Sequence, residues 1–239
     1  MKFKISCFVI FLFILAACDL FGPKDPVINV EKGTMVDIDS NVYQTVKIGD
    51  QWWMAENLKV THYRDGTTLI PMVTVDSVWS NLVTGAYCYY ENNEEYIDSL
   101  GCIYNWYAVG DTRQLAPEGW HVASDEEWKE LEMYVGMSQN EADGELVRGS
   151  DEGNKLKSLT SWASNNGTDI YGFSLLGIGY RRSYGVFMSI GWSSPHWTST
   201  EKDSANAWLR STTNSETRMF RMYDDKRIGF YIRCVKDSL

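Results

Sequence analysis

GCIYNWYAVGDTRQLAPEGWHVASDEEWKELEMYVG, running from Gly101 to Gly136, is the stretch around which this chain is organised. Ser124-Asp125-Glu126-Glu127 reads as a capping box: the Ser124 hydroxyl covers the Glu127 amide and the Glu127 carboxylate reaches back. A helix therefore starts at Asp125. Its acidic first turn suits the positive end of the helix dipole, and Trp128, Leu131 and Val135 recur at helical spacing before Gly136 ends it. Upstream, Tyr104-Asn105-Trp106-Tyr107-Ala108-Val109 reads as a second short helix, and Pro117-Glu118-Gly119-Trp120-His121 turns the chain between the two.

Outward from that centre the pattern becomes β. Val42, Gln44, Val46 and Ile48 begin a strand, Gly49-Asp50 is a two-residue turn, and Gln51-Trp52-Trp53-Met54 returns. Ala86 to Tyr90 is β-prone by its aromatic content. Glu145-Leu146-Val147 fits a brief helix, and Ser164 to Asp169 is a loop by composition. Gly172, Gly177 and Gly179 break the segment Tyr171 to Tyr180 into bends or bulges. Three closing runs, Ala207–Ser211, Thr217–Tyr223 and Ile228–Val235, are expected to form a meander. Strands at both ends with helices in the middle define an α+β class with short antiparallel sheets and two central helices.

The beginning of the chain carries an address. Lys2 and Lys4 precede an apolar run from Ile5 to Ala17, in the order of a secretory signal and too short to span a bilayer. Leu15-Ala16-Ala17-Cys18 resembles a bacterial lipobox, so residues 1–17 are expected to be a lipoprotein signal peptide and Cys18 the lipid-attachment residue. The expected location is an exported, membrane-anchored protein on the cell surface or the periplasmic face. Residues 18–35 read as a flexible tether and residues 36–239 as a single domain.

Loss of Lys2 and Lys4 leaves 20 basic against 32 acidic residues, a formal charge of −12. Such a surface repels phosphate backbones, and nucleic acid is not an expected partner. Export permits a disulfide among Cys88, Cys102 and Cys234, with Cys88–Cys102 and Cys102–Cys234 the leading pairings. The chain lacks a Cys-x-x-Cys pair, so zinc and thioredoxin-like redox chemistry have no support.

Several ordered segments carry a resemblance to a family. Tyr43-Gln44-Thr45-Val46-Lys47-Ile48-Gly49, Trp53-Met54-Ala55-Glu56-Asn57-Leu58, Tyr104 to Val109, Pro117 to Val122, Glu127-Trp128 with Leu131, Gly172-Phe173-Ser174 and Gly229 to Val235 are similar to the signatures of the Fibrobacter succinogenes major paralogous domain. The resemblance covers residues 36 to 237. It implies an exported or lipid-anchored surface protein with a C-type-lectin-like fold, related to the formylglycine-generating, sulfatase-modifying enzymes. It implies no defined activity. Those enzymes need two neighbouring cysteines near the C-terminal end, where this chain has Cys234 alone; the Glu-Pro-Asn, Gln-Pro-Asp and Trp-Asn-Asp triplets of calcium-dependent lectins are also missing.

Candidate chemistry is sparse. His62, His121 and His196 are far apart, and His121, between Trp120 and Val122, is expected in the core. Asp151-Glu152-Gly153-Asn154 lacks the ligand order of an EF-hand, so neither metal nor cofactor is expected, and a structural calcium ion has no motif behind it. The most suggestive group is Trp192, His196 and Trp197, joined by Trp162, Asn165, Asn166 and Asp169 from a loop. Indole faces for stacking with amides and a carboxylate for orientation suit a polar ligand. The resulting expectation is a non-enzymatic surface module binding a glycan or a partner protein. The alternatives are an enzyme on the sulfatase-modifying scaffold using other residues, and a structural assembly subunit.

Overall fold

The computed structural model describes residues 28–238. The signal segment, Cys18 and residues 18–27 of the expected tether lie outside them. Among the described residues there are fourteen strands: β1 (Lys32–Val36), β2 (Val42–Ile48), β3 (Gln51–Met54), β4 (Tyr87–Cys88), β5 (Ile103–Asn105), β6 (Trp120–Val122), β7 (Leu146–Arg148), β8 (Ile178–Arg181), β9 (Phe187–Ile190), β10 (His196–Glu201), β11 (Asn206–Ser211), β12 (Met219–Asp225), β13 (Gly229–Phe230) and β14 (Cys234–Lys236). They form three sheets, ordered β1-β2-β3-β14-β6, β10-β11-β12-β7 and β4-β5-β13-β8-β9. The named ladders are antiparallel, and with the central helices they establish the α+β class.

The helix Asp125–Tyr134 forms as its sequence predicts, with both halves of the capping box in place. Trp128, Leu131 and Val135 are buried. Trp128 meets Trp53 edge-on at 5.0 Å between ring centroids and Phe173 at 5.6 Å, so the helix is held on the first sheet by a three-ring contact. The second helix is a single turn, Trp106–Val109, capped by the Asn105 side chain accepting from the Ala108 amide. Tyr104 and Asn105, expected in that helix, belong instead to β5.

Other expectations are corrected. The tether does not extend to residue 35: Ile28 and Val30 pack on the core and Lys32–Val36 pairs along β2. Short-range composition hid this strand because its ladder partner lies ten residues on. Residues 146–148 are not helical; they pair with β12, which therefore has β11 on one side and β7 on the other. The third run of the expected meander leaves that sheet altogether. Gly229 and Phe230 join β5 and β8 in the third sheet, while Cys234 to Lys236 lie between β3 and β6 in the first. Every residue from Gly229 to Val235 is buried, and both strands of this segment are inner strands, β13 between β5 and β8 and β14 between β3 and β6.

Among the described residues, the cysteines Cys88, Cys102 and Cys234 are free, buried thiols. Cys88 pairs in register with Ile103 and shares its cluster, so Cys102, one residue away, points to the opposite face of the sheet among a different set of core residues. Cys102 shares a core cluster with Cys234, and its Sγ donates to the Lys59 carbonyl.

Candidate functional site

The seven residues singled out in the sequence separate into three environments. Trp162, His196 and Trp197 are core residues. Trp197 donates from Nε1 to the carbonyls of Tyr104 and Ile228 and packs on Phe230 at 4.5 Å, and Trp162 donates to the Leu175 carbonyl. His196 lies with Nδ1 3.0 Å from the Ser194 carbonyl and Nε2 2.9 Å from Asn57 Oδ1. Burial, and then the nearby Arg233 guanidinium, push its pKa down to about 3, so the imidazole is neutral. His196 and Trp197 are unavailable to a ligand because the first half of β10 is buried on both faces, and Trp162 because its ring is buried against the chain at Leu175.

A second group lies where loops meet. The Ala163 amide donates to the Gly191 carbonyl, Asn165 Nδ2 to the Asn214 carbonyl, and the Asn214 amide to the Trp192 carbonyl. The loops around 162–166 and 191–192 are thus brought together, with Asn214 as the joint between them. Asn166 caps the Trp162 amide, leaving Trp192, 59% exposed, as the free aromatic of this group. Asp169 is elsewhere. It accepts from the Ser174 amide and hydroxyl and lines a polar cleft of about 340 Å³ with Lys32, Asn57 and Lys59.

Beside the loop junction a cleft of about 240 Å³ opens between the second and third sheets. Its walls follow from strand periodicity. Phe220, Met222 and Asp224 alternate along β12 and face one way, while Arg221 between them faces the other and binds Asp125. On β11 the residues opposite Phe220 and Met222 are Ser211 and Leu209, which line the same cleft. Tyr180 of β8 and Phe230 of β13, edge to face at 5.5 Å, close the other side, and Ser189, Ser193 and Thr213 complete it. The Asp224 carboxylate accepts a hydrogen bond from the Asp225 amide, and burial pushes its pKa above the usual carboxylate value. Ser193 Oγ is buried without a hydrogen-bond partner. Sequence reading missed this site because its parts come from five strands of two sheets; the alternation of Phe220, Met222 and Asp224 was the one signal available.

His121 is not a core residue. It is half-exposed, with Nε2 2.5 Å from Glu127 and Nδ1 2.6 Å from Asp237, and the hydrogen bond to Glu127, with help from Asp237, raises its pKa to about 9. The same Glu127 closes the helix cap. Among the described residues, no group of three or more His, Cys, Asp or Glu is placed to hold a metal ion.

Three sheets and, among the described residues, six short helices, with an aromatic cleft between two of the sheets, define an α+β domain of the kind the sequence signatures indicate. The chain belongs to the family described as the Fibrobacter succinogenes major domain, whose model matches residues 46–236. Comparisons with curated proteins and with solved structures returned no match.

Proposed function

We propose that this protein is a lipid-anchored surface module that binds a glycan in the cleft between the second and third sheets, without transforming it. The observation that carries this reading is the meeting of Phe220 and Met222 with Tyr180 and Phe230 across a cleft rimmed by Ser189, Ser193, Ser211 and Thr213. Ring faces match the C–H surface of a sugar and hydroxyls orient its O–H groups. The non-enzymatic part of the reading is supported by the cleft's own lining, which holds Asp224 and neither His, Cys, Lys nor Arg. Anchoring rests on the Leu15-Ala16-Ala17-Cys18 tetrad.

Retention of the mature chain on a panel of polysaccharides and surface proteins tests the binding reading. Tyr180→Ala is expected to abolish glycan retention while Glu126→Gln, on the exposed face of the helix, leaves it intact. Retention on proteins alone would replace the glycan with a protein partner, and turnover of any retained saccharide would replace binding with catalysis. For the anchor, Cys18→Ser is expected to release the protein from membranes; continued membrane association with fatty-acid labelling would refute it.

A further inference from the structure

The binding reading leaves the ligand's charge open, and the cleft supplies it. Of the residues that line the cleft, Asp224 is the one carboxylate, and Lys, Arg and His are absent from the lining. Its partner within the protein is one backbone amide, and among the described residues it stands in no ion pair. A carboxylate half-buried among Tyr180, Phe220 and Phe230 loses hydration, and a cation delivered by the ligand restores the lost interaction. Ring faces attract the same charge. The protein shows this preference in its own side chains: the Arg182 guanidinium lies over the Tyr180 ring, 5.1 Å from the centroid, at the edge of the cleft. The orphaned Ser193 Oγ offers a further acceptor to an N–H donor.

We infer that the cleft selects a saccharide carrying a free amine, a hexosamine unit without its N-acyl group, whose ammonium pairs with Asp224 while its ring lies against the aromatic wall. This inference rests on the glycan-binding reading and narrows it. A neutral or N-acylated sugar would leave Asp224 with only the charge of the nearby Arg182 to offset its own, without a direct ion pair, and a uronic acid would be repelled by it. The chain's acidic surface also attracts cationic sugars without specificity, so the contrast that matters is the one Asp224 creates.

The test is calorimetric titration of the mature chain with trisaccharides of glucosamine, of N-acetylglucosamine and of glucose at physiological salt. Binding of the free-amine sugar is expected to be at least about tenfold tighter than that of the other two. Asp224→Asn should erase the difference, and Glu126→Gln, which removes a surface acid far from the cleft, should preserve it. Arg182→Met, which removes the rival cation from the Tyr180 ring, should tighten amine binding whether or not the Asp224 variant folds. Equal binding of the three sugars, or selectivity that survives Asp224→Asn in a chain with native melting behaviour, or weaker amine binding in Arg182→Met, overturns the inference and leaves glycan binding standing. Failure of every saccharide to bind removes the binding reading itself.

Discussion

Arg210 on β11 donates from Nη1 to Asp125 Oδ1 at 2.6 Å, tying the second sheet to the first turn of the central helix across the interior. The same guanidinium reaches Glu132 from Nε at 3.1 Å, and Arg148 and Arg221 complete the pairing of the two acids. Burial alone would raise the Asp125 pKa, but hydrogen bonds and charge from Arg221 and Arg210 hold it below the usual value. Asp125, which reads from sequence as a helix-dipole feature, therefore serves with Glu132 as an internal clamp. Arg210→Ala leaves two buried carboxylates short of partners and is expected to cost about 3–5 kcal/mol, measured by urea denaturation. A loss below about 1 kcal/mol would show that the clamp contributes little.

The neutral buried His196 makes the fold sensitive to acid. Its folded pKa, about 3, lies below the unfolded value of 6.5, so the unfolded chain binds the additional proton between those limits. Stability is expected to fall as pH drops from 6.5 towards 3. Comparing melting temperatures across that range in the parent and in His196→Gln checks it: the variant should show the shallower decline.

His121 acts in the opposite sense. With a folded pKa raised to about 9, its contribution is complete below the unfolded value of 6.5 and is lost as pH rises through about 9. Its partial exposure limits the size of the effect. A melting series from pH 6 to 10 should decline less in His121→Gln than in the parent, and parallel curves would show that the contact is without thermodynamic weight.

Two tryptophans five residues apart should behave differently on truncation. Trp197→Ala empties a fully buried site beside Phe230 and is expected to cost about 3–5 kcal/mol. Trp192→Ala, at an exposed position, should change stability by about 0.5 kcal/mol or less. Chemical denaturation of both variants measures the contrast, and equal losses would contradict the burial difference.

The cysteines give a chemical check on register. Burial pushes the Cys88 and Cys102 thiols up to about 12 and Cys234 higher still, so none should react with a thiol reagent in the native protein near neutral pH. In a chain that begins after Cys18, denaturation without reductant should release three titratable thiols, those of Cys88, Cys102 and Cys234. Recovery of one would establish a disulfide.

Much of the frame was legible residue by residue. The Ser124 box, the Gly49-Asp50 turn and the pairing of β11 with β12 carry their signals within a few neighbours, because capping and hairpin turns are local interactions, whereas the last run was placed by other sheets. β1 and β7 were not legible, since each is fixed by a ladder to another segment and has a weak pattern of its own. Among the candidate site residues, Trp192 proved exposed and Trp197 buried. Composition treats the two alike, and only the path of β10 between packed sheets separates them.

By itself, the sequence determined the class of the domain and the position of the Asp125 helix, which follow from spacing along the chain, while its ordered motifs carried the likeness to the family. Tertiary structure decided which charges are buried, which cysteines face apart and where a ligand-sized cleft lies. Those outcomes depend on contacts between segments as far apart as Asp125 and Arg210 or Tyr180 and Phe230, and residue order does not encode their distance directly.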